Sequence, residues 1–157
     1  SDVSQTACPC QNGNSYRHCC RVIHLDQREA ELPEQIMRAR YSAYVLVKEN
    51  FILDSWAFET RPKELYIDSK VKWICLKEVD PEPVQTHTSS AIVSFTAIYL
   101  EDSMLHTLHE RSTFIKRCKC WYYLEGESRH FTQQLAGNRR CPCGSGKKFK
   151  RCCLHNW

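Results

Sequence analysis

The spacing of apolar residues changes once along the chain. After a polar connector ending at Pro33, apolar side chains in residues 34–48 recur three and four positions apart, which predicts a helix. A second helical piece is predicted over residues 51–58, and Arg61-Pro62 ends it because the residue before a proline disfavours helical geometry. The apolar stripe of the first helix comprises Ile36, Ala39, Ala43 and Val47, widened by Met37, Tyr41 and Tyr44.

From residue 71 the apolar positions alternate with a period of two, which is typical of strands. Four strands are predicted, over residues 71–79, 90–100, 105–115 and 120–124. We expect hairpin turns at residues 101–103 and 117–119, whereas Pro81 and Pro83 mark a longer loop. Helices followed by an antiparallel meander predict an α+β fold.

Eight of the 11 cysteines form two clusters with the same spacing, C-x-C-x(8)-C-C, each with a proline inside the first pair. Four thiolates within 13 residues suit a tetrahedral zinc ion, so we expect two zinc sites, one per cluster. The N-terminal cluster is Cys8, Cys10, Cys19 and Cys20, and the C-terminal cluster is Cys141, Cys143, Cys152 and Cys153.

Two other interpretations of the clusters remain open. A disulfide framework would have to run between the clusters, because cysteines this close in sequence pair only with strain. A redox role is conceivable for the adjacent pairs, Cys19-Cys20 and Cys152-Cys153. Zinc is favoured because so short a segment has no core of its own, and a structural zinc contributes about 10–16 kcal/mol to folding. We predict that Cys75, Cys118, Cys120 and His18 are not ligands.

Charge is distributed unevenly within the net +4. Residues 25–136 carry 14 bases and 17 acids, whereas residues 137–157 carry six bases and no acid. Such an asymmetry suggests an anionic partner. No stretch approaches the roughly 18 apolar residues that a membrane span needs, and the polar residues 1–6 do not look like a signal peptide, so we expect a soluble cytoplasmic protein.

The segment from Cys141 to Cys153, CPCGSGKKFKRCC, resembles the SEC-C motif, and Cys8 to Cys20 resembles a degenerate copy of it. Two such motifs around a body of this size resemble the bacterial YchJ family, which the segments 37–41 and 110–114 also fit. The resemblance implies three parts: an N-terminal knuckle (1–24), a central body (25–136) and a C-terminal knuckle (137–157). For the body it implies the cone-shaped fold of the nuclear transport factor superfamily, a curved antiparallel sheet packed around helices.

The resemblance implies docking more than catalysis. We expect the C-terminal knuckle to contact an acidic protein or ribosomal RNA, with Phe149 or Trp157 as the apolar contact. The alternative is a small-ligand site or an enzyme using a pocket in the cone, as in ketosteroid isomerase, a relative by fold. The candidate partner-binding residues are Lys147, Lys148, Phe149, Lys150 and Arg151, and the candidate pocket residues are Tyr41, Trp56, Glu110 and Arg111.

Overall fold

A computed structural model describes residues 5–83 and 89–155, so Trp157 lies outside the described residues. Within these ranges, three helices precede a four-stranded antiparallel sheet, which confirms the α+β class. The helices are α1 (Cys20–Leu25), α2 (Pro33–Val45) and α3 (Glu49–Asp54). The strands are β1 (Lys72–Pro81), β2 (Ser90–Glu101), β3 (Met104–Arg117) and β4 (Cys120–Gln133).

The helix α2 is the main helix against the sheet. Pro33 begins it, where the missing N–H needs no partner, and the Gln35 side chain accepts a hydrogen bond from Leu32 N at 2.8 Å. The predicted apolar stripe is buried as far as Ala43. Val47, predicted to belong to the stripe, is instead 59% exposed, because the helix ends at Val45 and Val47 has a left-handed backbone.

The sheet is a meander of neighbouring strands in the order β1-β2-β3-β4. Both predicted hairpin turns are present as two-residue loops, at Asp102-Ser103 and Cys118-Lys119. All four of these residues have positive φ, the conformation that matches the twist of a tight hairpin. The last strand extends to Gln133, well beyond its predicted end at residue 124.

The two knuckles pack on opposite faces of the sheet. Leu76 and Ala97 share a buried cluster with α2 and with Cys8, Cys10 and Cys20. Their strand neighbours Cys75 and Ile98 belong to a second cluster, which contains Cys141, Phe149 and Cys152. Because successive strand residues point to opposite faces, the C-terminal knuckle covers the face that α2 and the N-terminal knuckle leave open.

Candidate metal centres and central cavity

In each cysteine cluster the four sulfur atoms lie within 4.8 Å of one another. The Sγ atoms of Cys10 and Cys19 are 3.6 Å apart, and those of Cys143 and Cys152 are 3.5 Å apart. These separations are far longer than a disulfide bond, and all 11 cysteines are free. Four sulfurs around one tetrahedral zinc ion would be roughly 3.8 Å apart, so each cluster can hold a metal ion.

The main chain of the two knuckles follows the same course despite their different sequences. Cys8 N donates to Asn14 O at 2.9 Å, and Cys141 N donates to Lys147 O at 2.8 Å. A short 3-10 helix then leads into the cysteine pair in both, over Tyr16–His18 and Phe149–Arg151. The N-terminal copy therefore keeps the geometry of the motif although it lacks the Gly-Ser-Gly segment.

Gln11 explains how the degenerate copy differs. It has a φ of 61°, and Gly144 at the equivalent position has a φ of 86°. A left-handed backbone costs a non-glycine residue free energy, but the Gln11 side chain makes contacts that glycine lacks. Its Oε1 accepts a hydrogen bond from Leu76 N at 3.1 Å, and its Nε2 donates to Ile74 O at 3.5 Å. Gln11 thereby pairs with the free edge of β1.

Polar groups next to the cysteines support both clusters. On α2, the Ser42 hydroxyl lies 3.6 Å from Cys8 Sγ, and Arg38 donates to Cys10 O at 2.8 Å. In the C-terminal cluster the Ser145 hydroxyl lies 3.2 Å from Cys152 Sγ. Burial raises the pKa of the Cys143 thiol, but hydrogen bonds from Ser145 and neighbouring thiols outweigh this effect and lower the pKa to about 7.

The candidate partner-binding residues of the C-terminal knuckle differ in exposure. Lys147, Lys148, Lys150 and Arg151 are all exposed. Phe149 is completely buried against the sheet, so the prediction of an apolar contact for a partner at this residue is wrong. The cations on both sides of Phe149 suggested an exposed ring, whereas the ring anchors the knuckle to the sheet.

A cavity of about 350 Å³ lies between α2 and the sheet. Tyr41, Trp56 and Glu110 line it, whereas Arg111 does not. Alternation along β3 turns Arg111 to the other side, where it forms an exposed ion pair with Glu82 at 2.9 Å. The prediction that Arg111 lines the same pocket as Tyr41 and Trp56 is therefore wrong, and Arg111 lines a separate groove of about 1010 Å³ instead.

Arg40 also lines the cavity, although it was not predicted from the sequence as a pocket residue. Its guanidinium lies 4.9 Å from the ring centre of Trp56 and 4.5 Å from that of Tyr123. Burial lowers the pKa of Arg40 to about 10, so the side chain remains charged at neutral pH. The signal was its position on α2, four residues after Ile36 and three before Ala43, on the apolar stripe.

Histidines and the remaining cysteines lie outside the two clusters. His106 and His109 do not converge; His106 instead meets His130 on β4, with Nδ1 and Nε2 3.0 Å apart. Cys75, Cys118 and Cys120 belong to no group of metal-ligating side chains among residues 5–83 and 89–155. No helix within those ranges is long and apolar enough to cross a membrane.

Comparison with known proteins links this geometry to relatives. The profile of the YchJ middle NTF2-like domain matches residues 32–126, and the SEC-C motif profile matches residues 138–154. A UPF0225 protein of Vibrio cholerae is 34% identical, covering 94% of this chain and 99% of the relative. One from Photorhabdus laumondii is 32% identical, covering 93% and 97% respectively.

Two solved structures share the fold. The crystal structure of a SEC-C motif containing protein from Psychrobacter arcticus has a TM-score of 0.64 at 29% identity, covering 99% of both chains. The solution structure of a SEC-C motif containing protein from Rhodopseudomonas palustris has a TM-score of 0.65 at 29% identity, covering 76% of this chain and 96% of that one. With its NTF2-like body and SEC-C motif, the chain belongs to the YchJ family.

Proposed function

We propose that this protein is a zinc-binding, non-catalytic docking protein that grips an acidic partner with its C-terminal knuckle. In this proposal residues 1–24, 25–136 and 137–157 act as two metal-bound knuckles on a supporting body. The observation that carries the proposal is the exposure of the six cations in residues 137–157. All six are exposed, and none forms an ion pair with an acidic group in the described part of the chain.

The choice of zinc rests on the donor set. All-thiolate tetrahedral sites select zinc or iron-sulfur chemistry, and a closed set of four protein ligands leaves no open position for catalysis. A zinc ion with four thiolates carries a formal charge of −2, so a filled C-terminal knuckle changes from +6 to +4. The surface remains basic with the metal bound.

The first experiment counts metal ions in the intact chain by native mass spectrometry. We expect two zinc ions in the wild type and one in each of the variants Cys10→Ser and Cys143→Ser. One zinc ion lost only with Cys143→Ser would remove the N-terminal site from the proposal and reopen a thiol role for Cys19-Cys20. An iron-sulfur chromophore would overturn zinc at both sites.

The second experiment measures docking to purified bacterial ribosomes and to an acidic polypeptide, poly-glutamate, across a salt series. Changing Lys147, Lys148, Lys150 and Arg151 together to Gln should weaken binding at least tenfold. The matched control changes four exposed lysines of the body, Lys63, Lys70, Lys77 and Lys119, to Gln and should leave the affinity within twofold.

Salt dependence tests whether the cations of the C-terminal knuckle make the contact. For RNA, log affinity falls with log salt by about 0.7–0.9 per neutralised phosphate, so the C-terminal variant should flatten the slope by about 3. A salt-insensitive interaction would contradict binding through these cations, because salt screens the attraction between exposed charges. Equal loss of binding in both quadruple variants would contradict a role specific to the C-terminal knuckle.

A further inference from the structure

We propose that the central cavity binds a small aromatic carboxylate, with Arg40 providing the positive charge that the carboxylate meets. This site is separate from the metal centres and does not depend on the docking function. Three features of the cavity lead to this ligand class: a buried cation that forms no ion pair with the described residues, aromatic walls, and tyrosine hydroxyls that make no hydrogen bond to other described residues.

Arg40 is a buried cation whose nearest partners are all neutral. It is only 7% exposed, and its Nη1 donates to Ile52 O and to Ser55 Oγ, both at 2.7 Å. Its face lies over the Trp56 and Tyr123 rings. No carboxylate in residues 5–83 or 89–155 lies within ion-pair distance of it. A buried charge is costly unless it is compensated, so a ligand carboxylate would add a charged partner to the neutral ones that Arg40 already has.

Among the described residues that line the cavity, Glu110 is the one acidic side chain, and its carboxyl is hydrogen-bonded to another residue than Arg40. Its carboxyl accepts a short hydrogen bond from the Ser112 hydroxyl. It also lies against Gly126, where an added Cβ would come within 2.8 Å of the carboxyl carbon. Burial raises the pKa of Glu110, with the Ser112 hydrogen bond and the charge of Arg40 acting in the opposite direction. Glu110 is therefore a poor counter-charge for Arg40.

The walls favour a flat apolar body. Trp73 lies between Tyr41 and Tyr44, with ring centres 5.7 and 5.9 Å away, and Trp56 meets Tyr123 edge-on at 5.1 Å. The hydroxyls of these three tyrosines make no hydrogen bond within the described residues. The volume of about 350 Å³ is at the small end of the usual range for small-molecule pockets.

An aromatic box with a carboxyl group also resembles a site for organic cations. Arg40 argues against that ligand, because its own guanidinium already occupies the faces of Trp56 and Tyr123 and would repel a second cation.

The test compares three probes of the same shape and different charge by isothermal titration calorimetry: 2-naphthoate, 2-naphthamide and 2-naphthyl-trimethylammonium. For the wild type we expect 2-naphthoate to bind at least tenfold more tightly than the neutral amide, since a hydrogen-bonded charge pair exceeds a neutral contact by that factor. In Arg40→Met the advantage of naphthoate over naphthamide should disappear. In Arg28→Met, which removes an exposed arginine outside the cavity, it should remain within twofold of the wild type.

A second variant covers the case in which Arg40→Met does not fold. Ala97→Phe fills the cavity from the sheet side and should abolish binding of all three probes, while the indole N–H signals of Trp56 and Trp73 report an intact fold. Equal affinity of naphthoate and naphthamide in the wild type would overturn the proposal. Preferred binding of the ammonium probe, absence of binding by all three probes, or naphthoate binding unchanged in Ala97→Phe would overturn it as well.

Discussion

Tyr16 and Phe149 occupy the same position in the two knuckles, three residues before the first cysteine of the final pair, and both rings are buried. Each begins a 3-10 helix. They differ in what they contact: Tyr16 donates to or accepts from His24 Nδ1 at 2.7 Å, whereas Phe149 packs among Leu100 and Leu105 of the sheet. The Phe149 ring thus packs the C-terminal knuckle against the sheet, whereas Tyr16 bonds within residues 1–24 to His24, whose Nε2 lies 2.7 Å from Ala39 O on α2.

Replacing Phe149 with alanine should therefore destabilise the C-terminal knuckle by about 3–5 kcal/mol, the usual range for removing a buried phenylalanine. Chelator competition at the C-terminal metal and urea unfolding both measure this loss. Phe131→Ala is the matched control, because Phe131 is 56% exposed on β4 and its loss should cost less than about 1 kcal/mol. Similar losses in the two variants would contradict the anchoring role.

Gln11 provides a second prediction, because its backbone strain and its side-chain contacts act in opposite directions. Gln11→Ala keeps the strain and loses the bonds to β1, so it should cost about 1–2 kcal/mol in urea unfolding. Gln11→Gly loses the same bonds but relieves the left-handed backbone, so it should cost about 1 kcal/mol less than Gln11→Ala. Equal effects of the two substitutions would show that the backbone at residue 11 is unstrained.

If the N-terminal cluster binds zinc as proposed, loss of that ion should open the edge of β1. Because Leu76 N donates to the Gln11 side chain, Cys10→Ser should speed hydrogen exchange at the Leu76 amide at least tenfold. Cys143→Ser empties the cluster on the opposite face and should leave the Leu76 amide unchanged. Exchange mass spectrometry of the β1 peptide measures both, with the β3 peptide from the centre of the sheet as the internal reference.

The buried carboxyl of Glu110 predicts a pH dependence of stability. Burial raises its pKa above the ordinary 4.5, so the folded protein binds this proton more tightly than the unfolded chain does. Stability is then lost as pH rises from 4.5 through the folded pKa. Glu110→Gln stays neutral, so its stability relative to the wild type should increase across that interval and be constant above it.

Urea unfolding of both proteins at several pH values measures that difference. Arg40, Tyr44 and Tyr123 are the other ionisable groups acting on Glu110 or sensing its charge. A stability difference that is independent of pH, or one that shrinks as pH rises, would contradict burial as the dominant effect.

Sequence patterns over a few residues predicted the strands and turns whose formation depends on neighbouring residues. Alternation located β2 and β3, and the two hairpins follow from short polar breaks between strands. The extension of β4 to Gln133 was missed because its exposed residues 125–133 carry no alternation to detect. That segment is a strand because β3 offers it partners as far as Leu105, which pairs with Gln133.

The candidate site residues also divide into those that short sequence patterns predict and those whose position depends on distant contacts. Cysteine spacing alone predicted both clusters, because four ligands within 13 residues must lie close together. The burial of Phe149 depends on contacts with strands about 50 residues away, which no local window contains. Arg40 was not among the candidate pocket residues, although its helical position placed it on the core side and arginine is rarely buried.

The attachment of both knuckles to β1 has a consequence for the order of folding. The three strand pairs join neighbours in sequence, whereas Gln11 contacts Leu76 across 65 positions and Lys72 donates to Cys153 O across 81. Loops of that length close late, after the hairpins have formed. If each knuckle binds zinc as proposed, it can do so within its own 13 residues beforehand, and we then expect the termini to dock as finished units and chiefly to slow unfolding.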